Sequence, residues 1–502
     1  MRMFRSEVVG VLVAALALAP QAAAQQQPTA NKWVVAKCDI KPGHFLVNSG
    51  LLYLKSATET RFEDQRQKDL GAARGVLTQA LTTGGQDKNP AAWYYFGRYY
   101  LMVQDLVGAD SAFQRAESLK AECADDINLW RRFTWVPMLN AGIGAWQANN
   151  TDSAMTYFRK ANAILKTEAM GFKYLASLLY QAGQLDSAAV YFRLTAELAA
   201  KDPKNVQDRR DALFNLARIH HSQKRWNEAL AVYREYLTVV PNDPEVLASI
   251  GSVLSQMGQR DSAFTLYRRI IGMGDSVGAM PMFRVGVEIF QAVSDEPDTA
   301  TAGKSCRGAR ATPARIRACR DSLGNVMKDY EATATVTYRL AAQAFEAGLK
   351  LNPYNRDGLF NLVNTYLQLN DSTGMLPVAQ RLVGVDPMNR MSLRLLAFAH
   401  QRVGHVDSTL HYLRTADSTL SADVTVSEFD PQDSTVSVKG LVTNVRNTPG
   451  KPFKLVFEFL SRSGEVVATQ AADIASLPSQ GTQQFAVKAS ARGAQAWKYH
   501  KE

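Results

Sequence analysis

The 502-residue chain reads as mainly α: an α-solenoid of eight or nine helix pairs followed by a small antiparallel β-sandwich. Three observations predict this. Apolar and small residues recur along most of the chain at a fixed step, about 34 residues long. Within each step their spacing is three to four, the period of one helix face. After Ser421 the spacing falls to two, the period of a half-buried strand.

At the start, Arg2 and Arg5 form a short basic region, Val8 to Ala19 an apolar run, and Ala22-Ala23-Ala24 a set of small side chains. An apolar run this short cannot span a bilayer, so residues 1–24 are expected to be a secretory signal peptide, and the remainder periplasmic or secreted. Gln25, not Cys, follows Ala24, so lipoprotein anchoring has no support. No transmembrane segment is expected after cleavage, because no later apolar run approaches the length of a membrane span. Residues 25–69 form an N-terminal segment.

Removing residues 1–24 takes away Arg2, Arg5 and Glu7 and lowers the formal charge from +10 to +9. Six basic residues and no acidic one lie between Thr299 and Arg320, so most of the excess sits in one segment. Nucleic-acid binding by the whole surface is therefore not expected. Four cysteines, Cys38, Cys123, Cys306 and Cys319, suit an oxidising compartment. Of the three pairings, Cys306–Cys319 with Cys38–Cys123 is favoured because the first closes a short loop, worth on the order of 3 kcal/mol. Free thiols are the alternative.

The repeat is plainest from Leu213: Leu216, Ala217, His220, Ala229, Tyr233 and Tyr236 are answered one step further on by Ile250, Gly251, Leu254, Ala263, Tyr267 and Ile270. A second ladder runs through Met138, Gly142, Ala154 and Phe158 to Phe172, Ala176, Ala188 and Phe192, and a third joins Leu359 and Leu362 to Leu393 and Leu396. Trp93, Phe96, Gly97, Tyr100, Ala109, Phe113 and Ala116 match W-x2-L-G-x2-Y…A-x3-F-x2-A. On these residues the chain resembles the tetratricopeptide repeat family over about 70–420. The resemblance implies units of two antiparallel helices, A and B, in which a small residue at the Gly97 position lets the two axes approach. Helix-A anchors at Trp93, Met138, Phe172, Leu213, Leu247, Met282, Leu359 and Leu393 give eight units. Ala73, Leu77 and Ala80 look like helix B of a ninth.

One unit is interrupted. Helix A at Met282–Phe290 should meet its helix-B alanine after one short turn, but Ala341 and Phe345 supply that helix only after an insertion at 294–336. Ser294 to Ala314, rich in Pro, Gly, Thr and Ala, is expected to be a loop. Ile316, Leu323, Met327 and Tyr330 predict a helix running into helix B.

In residues 421–502, Val424-Val426, Val436-Val438 and Phe453-Leu455-Phe457-Phe459 alternate with polar residues, and Pro, Gly and Asn turns separate them. Six or seven short strands predict a β-sandwich. With Gly440-Leu441-Val442-Thr443-Asn444 and the turn Leu477, Pro478, Gly481, this part resembles the FxLYD-type domains of bacterial envelope proteins. That resemblance implies an accessory or binding module.

Motifs for chemistry are weak. Gly303-Lys304-Ser305 ends like a phosphate loop, but Asp298 stands where the motif needs Gly. His220-His221 diverge on a helix, and His400, His405 and His411 have no carboxylate or Cys at ligand spacing, so no metal or cofactor is expected. No nucleophile elbow, zinc-protease helix or CxxC pair occurs. The tetratricopeptide resemblance instead implies a concave groove lined by the second, fifth, ninth, twelfth and thirteenth positions of each unit. These are Tyr94, Arg98, Trp146, Lys173, Tyr180, Phe214, Arg218, His221, Phe283, Phe290, Phe360, Asn364, Arg394, Phe398 and Arg402. Aromatic rings with interleaved cations suit an extended peptide. The expectation is a non-catalytic exported scaffold that holds a protein or peptide partner. The alternatives are a subunit of an envelope polysaccharide or peptidoglycan enzyme, and polyanion binding through 304–320.

Overall fold

The computed structural model describes residues 32–293, 297–306 and 312–502. The expected signal peptide at 1–24, and Arg307 and Arg310 of the basic segment, lie outside the described residues. The helices are α1 (Phe45–Glu59), α2 (Glu63–Thr82), α3 (Pro90–Met102), α4 (Leu106–Leu119), α5 (Ala124–Gln147), α6 (Thr151–Ile164), α7 (Ala169–Gln181), α8 (Leu185–Ala199), α9 (Val206–Ser222) and α10 (Trp226–Val239). They continue as α11 (Pro244–Gln256), α12 (Arg260–Gly272), α13 (Ala279–Gln291), α14 (Thr299–Ser305), α15 (Pro313–Leu351), α16 (Arg356–Gln368), α17 (Ser372–Val385), α18 (Arg390–Arg402) and α19 (Val406–Arg414). Nine antiparallel pairs result among the described residues, the seventh formed by α13 and α15. Successive pairs stack as a tetratricopeptide-like solenoid within each compact unit. The chain divides after Pro241 into two compact units, with five pairs in the first and four in the second.

Four of the pairs are closed by the same complementarity. A Cβ built on Gly97 or Gly286 would lie 2.6 Å from the ring of Phe113 or Phe345, and one on Gly142 would lie 2.5 Å from Phe158. Gly251 sits as tightly against Tyr267. The glycine of helix A therefore faces the ring of helix B, and the rings are fully buried. Gly50 meets Leu77 in the same way, so α1 is the helix A that the α2 sequence lacked. It lies inside the N-terminal segment and starts the solenoid before residue 70.

The turn between helices A and B also repeats. Gln104, Asn149, Gly183, Lys224, Gly258, Asn370 and Gly404 all have positive φ and all occupy the fifteenth position of their units. One left-handed residue there stops helix A and reverses the chain. The next residue often caps helix B: Asp105, Asn150 and Asp371 accept hydrogen bonds from the amides of Gly108, Ser153 and Gly374.

The expected loop over Ser294–Ala314 is corrected by α14. Asp298 accepts from the Thr301 amide at 2.8 Å and starts a short helix through alanine-rich sequence, which a disulfide between Cys306 and Cys319 ties to α15. The helix expected from Ile316 onward does run into helix B as the 39-residue α15.

The C-terminal part is two three-stranded antiparallel sheets. Strands β1 (Asp423–Pro431), β2 (Thr435–Thr443) and β5 (Thr482–Ser490) form one in the order β1-β2-β5. Strands β3 (Phe453–Leu460), β4 (Val466–Ile474) and β6 (Ala496–Lys501) form the other in the order β4-β3-β6. Val436, Val438, Leu455, Phe457, Phe485, Val487, Trp497 and Tyr499 alternate inward and fill the space between the sheets. Buried Asn444 donates to the carbonyls of Thr448, Leu477 and Pro478, joining the two turn motifs singled out above.

The same core continues into the last repeats through Met388, Leu393, Ala416 and Leu420. Polar contacts fix the junction. Tyr499 donates to Asp386 at 2.7 Å, Asn389 donates to the Val424 carbonyl at 3.0 Å, and Asn352 donates to the Gln495 carbonyl at 2.9 Å. The β-sandwich is thus packed on α16–α18 rather than tethered beside them.

Candidate partner-binding face

The expected groove residues separate into three groups. Those of the first group are buried. Tyr94 is fully buried, donates to Asp126 Oδ2 at 2.5 Å and accepts from Trp130 Nε1 at 2.9 Å. Phe283 is packed against Gly348 and Gly358, where helices α13, α15 and α16 meet. Both are corrected from groove to interior: a large ring at the fifth position fills the gap between neighbouring pairs. Arg98 is also buried, at 4% exposure. Its guanidinium lies 3.6 Å from the Trp33 ring and 4.1 Å from the Trp130 ring, and Nη1 donates to the Val34 carbonyl at 2.7 Å. Burial pushes this guanidinium down to about 10, against the nearby Tyr94, Tyr95 and Asp126.

What covers Arg98 is the chain itself. The segment before α1 is held over α3 by four further ties. Cys38 is bonded to Cys123, Lys120 donates to the Asp39 carbonyl, Asn89 donates to the Pro42 carbonyl at 2.8 Å, and Trp33 packs near Tyr95. Trp33 and Trp130 stand outside the expected groove set. Trp130 belongs to the stretch that makes the step from Trp93 to Met138 longer than the others, and that stretch forms extra turns at the start of α5. The pairing of Cys38 with Cys123 is the one sequence signal that could have brought Trp33 to α3.

Residues of the second group are committed to ion pairs. Lys173 on α7 bridges Asp208 and Asp211 of α9, each at 2.8 Å. Burial alone would lower its ammonium, but these two carboxylates outweigh that and raise it. Arg394 pairs with Asp417 at 2.6 Å. Lys173 and Arg394 are therefore braces between elements, not free groove cations.

The third group remains available. In the first unit, Trp146, Tyr180, Phe214 and Arg218 are half-buried. Trp146 packs edge-on to Tyr174 with ring centroids 5.9 Å apart, and the Arg218 guanidinium lies 5.7 Å from the Phe214 ring. No carboxylate pairs with Arg218 among the described residues. His221 packs beside Trp226 and Tyr233. In the second unit, Phe290 packs on Tyr338, Phe360 lies under Arg356 at 4.8 Å, and Asn364 donates to the Phe360 carbonyl. Phe398 and Arg402 are exposed.

Among the described residues, no group of three or more His, Cys, Asp or Glu converges as a metal site would require. No described helix is long and apolar enough to cross a membrane. His400 and His405 approach each other through Nδ1 at 3.2 Å.

Paired helices with a glycine-to-ring contact, a left-handed fifteenth residue and uncovered aromatics on the A helices define a solenoid of repeat type. Residues 175–245, which span α7 to α11, match the tetratricopeptide repeat family. The chain is 23% identical over 203 residues to human cell division cycle protein 16 homolog, covering 40% of this chain and 31% of that protein. It is 22% identical over 355 residues to the Arabidopsis thaliana protein CTR9 homolog, covering 63% of this chain and 31% of that one. The chain thus spans about a third of the curated relatives it matches. Among solved structures it is similar to yeast Tom70, with TM-score 0.33, 14% identity, and coverage of 78% of this chain and 69% of that chain. It is also similar to YrrB, described as a tetratricopeptide protein with an unusual peptide-binding site, with TM-score 0.30, 15% identity, and coverage of 47% and 95%.

Proposed function

We infer that the protein is a non-catalytic exported scaffold of the bacterial envelope, holding a protein or peptide partner on the A-helix face of its repeats. The observation that carries this reading is the set Trp146, Phe214 and Arg218. All three are partly exposed and lie on the A helices, and no ion pair within the described chain occupies the one cation among them. Rings with few rotatable bonds give contact area at low entropic cost, and a guanidinium supplies directional donors to a peptide backbone. The match to the tetratricopeptide repeat family supports the same class of function. The β-sandwich, packed on the last helices, would present a second surface in fixed geometry.

The test is partner recovery by crosslinking and affinity capture from envelope extract. Trp146, Phe214 and Arg218 are replaced together by Ala and compared with a control altered at Glu197 and Arg234, which are exposed on B helices. Loss of a central anchor costs roughly 2 kcal/mol or more, about thirtyfold in affinity. The partner should disappear from the triple variant and persist in the control. Equal recovery from both would move the site away from this face.

A second reading has its own observation. Lys304, Arg315, Arg317 and Arg320 are exposed on the disulfide-tied α14–α15 hairpin and have no acidic partner among the described residues. Polyanion binding there would show as salt-dependent retention on an anionic polysaccharide, lost when the three arginines become Gln.

A further inference from the structure

The segment over α3 shows how this repeat face receives an extended chain. The ring centroids of Trp33 and Trp130 lie 3.6 and 4.1 Å from the Cζ of Arg98. The Val34 carbonyl then takes a donor in the guanidinium plane at 2.7 Å. One residue thus reads an aromatic side chain by cation–π contact and the following backbone carbonyl by a hydrogen bond. The arrangement has a counterpart. Arg98 is the ninth residue of its unit and follows the ring of Tyr94 by four positions. Arg218 is the ninth residue of its unit, three pairs along, and follows the ring of Phe214 by four positions. The first pair is covered by Trp33, whereas Phe214 and Arg218 are half-buried, with the guanidinium 5.7 Å from its own ring and no ion pair to it among the described residues.

We propose that Phe214 and Arg218 form a docking site for an extended peptide bearing an aromatic residue. The chain's own Trp33-Val34 occupies the site at Arg98, which has the same repeat position and Trp130 as a further ring. This rests on the groove reading above and narrows it to a class of partner sequence. Any partner using the site would stack its ring on the guanidinium and turn the next carbonyl toward Nη.

The probe is a labelled peptide with the sequence of Lys32–Lys37, Lys-Trp-Val-Val-Ala-Lys, titrated by fluorescence anisotropy into the full exported chain with its disulfides intact, so that Arg98 stays covered. One site is expected. Replacing the peptide's Trp by Ala should weaken binding about tenfold or more, and Arg218→Gln in the protein should do the same. Arg218→Gln removes no ion pair within the described chain, and an unchanged circular dichroism spectrum confirms its fold. No binding, equal affinity of the Trp and Ala peptides, or an unaffected Arg218→Gln variant would each overturn the proposal. If the peptide fails while the triple Ala variant still loses its native partner, the groove reading stands and only the aromatic-peptide assignment falls.

Discussion

The junction between repeats and β-sandwich offers a sharp perturbation, Tyr499→Phe. The Tyr499 hydroxyl is 113 residues from Asp386 in sequence, donates to its Oδ1 at 2.7 Å and accepts from the Met388 amide at 3.2 Å. Asp386 Oδ2 is held by Arg356 Nε at 2.8 Å and Ser392 Oγ at 3.2 Å. Burial raises the Asp386 carboxyl in spite of Arg356, so this carboxylate depends on each of its donors. Phenylalanine keeps the ring against Phe457 and Trp497, with centroids 5.4 and 6.0 Å away, and removes only the oxygen. A hydrogen bond to a charged group is worth about 1.5–3 kcal/mol, and an unsatisfied buried amide costs about 1–3 kcal/mol. Because one oxygen serves both, a combined loss of about 2–4 kcal/mol is expected. Hydrogen exchange in peptides covering β6 and the start of α18 should accelerate about 30- to 1000-fold, with helices of the first unit unchanged. Exchange in β6 within threefold of wild type would refute the claim that this hydroxyl holds the module to the repeats.

Three further outcomes follow from the repeat geometry and its titrating groups. Gly251→Leu should lower stability by about 1–3 kcal/mol because Tyr267 blocks the site, while Gly251→Ala should cost much less, since buried Ala176 and Ala217 hold the same repeat position in sister units; thermal denaturation of the two variants separates the cases. Lys224→Gly should raise stability by about 0.5–1 kcal/mol by relieving a side chain at φ 59°, and Gly183→Ala should lower it, both read by urea denaturation. His400 is buried beside His405, and burial first, then that neighbour, lower its imidazolium below the ordinary value of 6.5. The folded protein therefore keeps His400 neutral where the unfolded chain would protonate it. Stability is full above pH 6.5 and falls as the pH drops through that value toward the lower folded pKa. His400→Gln should flatten the decline in melting temperature between pH 7.5 and 5.5.

Much of the solenoid was legible because its rule joins two residue types at fixed spacing. A Gly or Ala in helix A and a ring at a constant distance along the chain in helix B are visible in Gly97/Phe113 and Gly251/Tyr267. The first pair hides from that rule because Gly50 and Leu77 stand farther apart and the partner of the glycine is not a ring. The fifteenth-position turn shows where it is Gly183, Gly258 or Gly404 and hides where it is Gln104 or Lys224, whose strain is carried by the flanking helices. The short helix α14 looks like loop because its composition suggests turns, while its start depends on the local cap at Asp298. Docking of the β-sandwich leaves no trace in any pattern, since Arg356, Asp386 and Tyr499 meet only after both parts have folded.

The binding face was legible in residue type but not in availability. Tyr94 and Phe214 share one position of the repeat, as do Arg98 and Arg218, and nothing in either residue says which pair faces solvent. The difference lies in what neighbouring sequence supplies. Asp208 and Asp211 take up Lys173, Asp417 takes up Arg394, and Trp33 with the Val34 carbonyl takes up Arg98. Asp208 comes from a lengthened helix start and Trp33 with Val34 from a segment before the first pair, whereas Asp211 and Asp417 stand at positions of their units where the repeat pattern fixes no residue type. A cation on the A-helix face thus remains open only where such a partner is missing. By that criterion the open cations of the expected set are Arg218 and Arg402, and of the two only Arg218 has a ring of its own helix beside it.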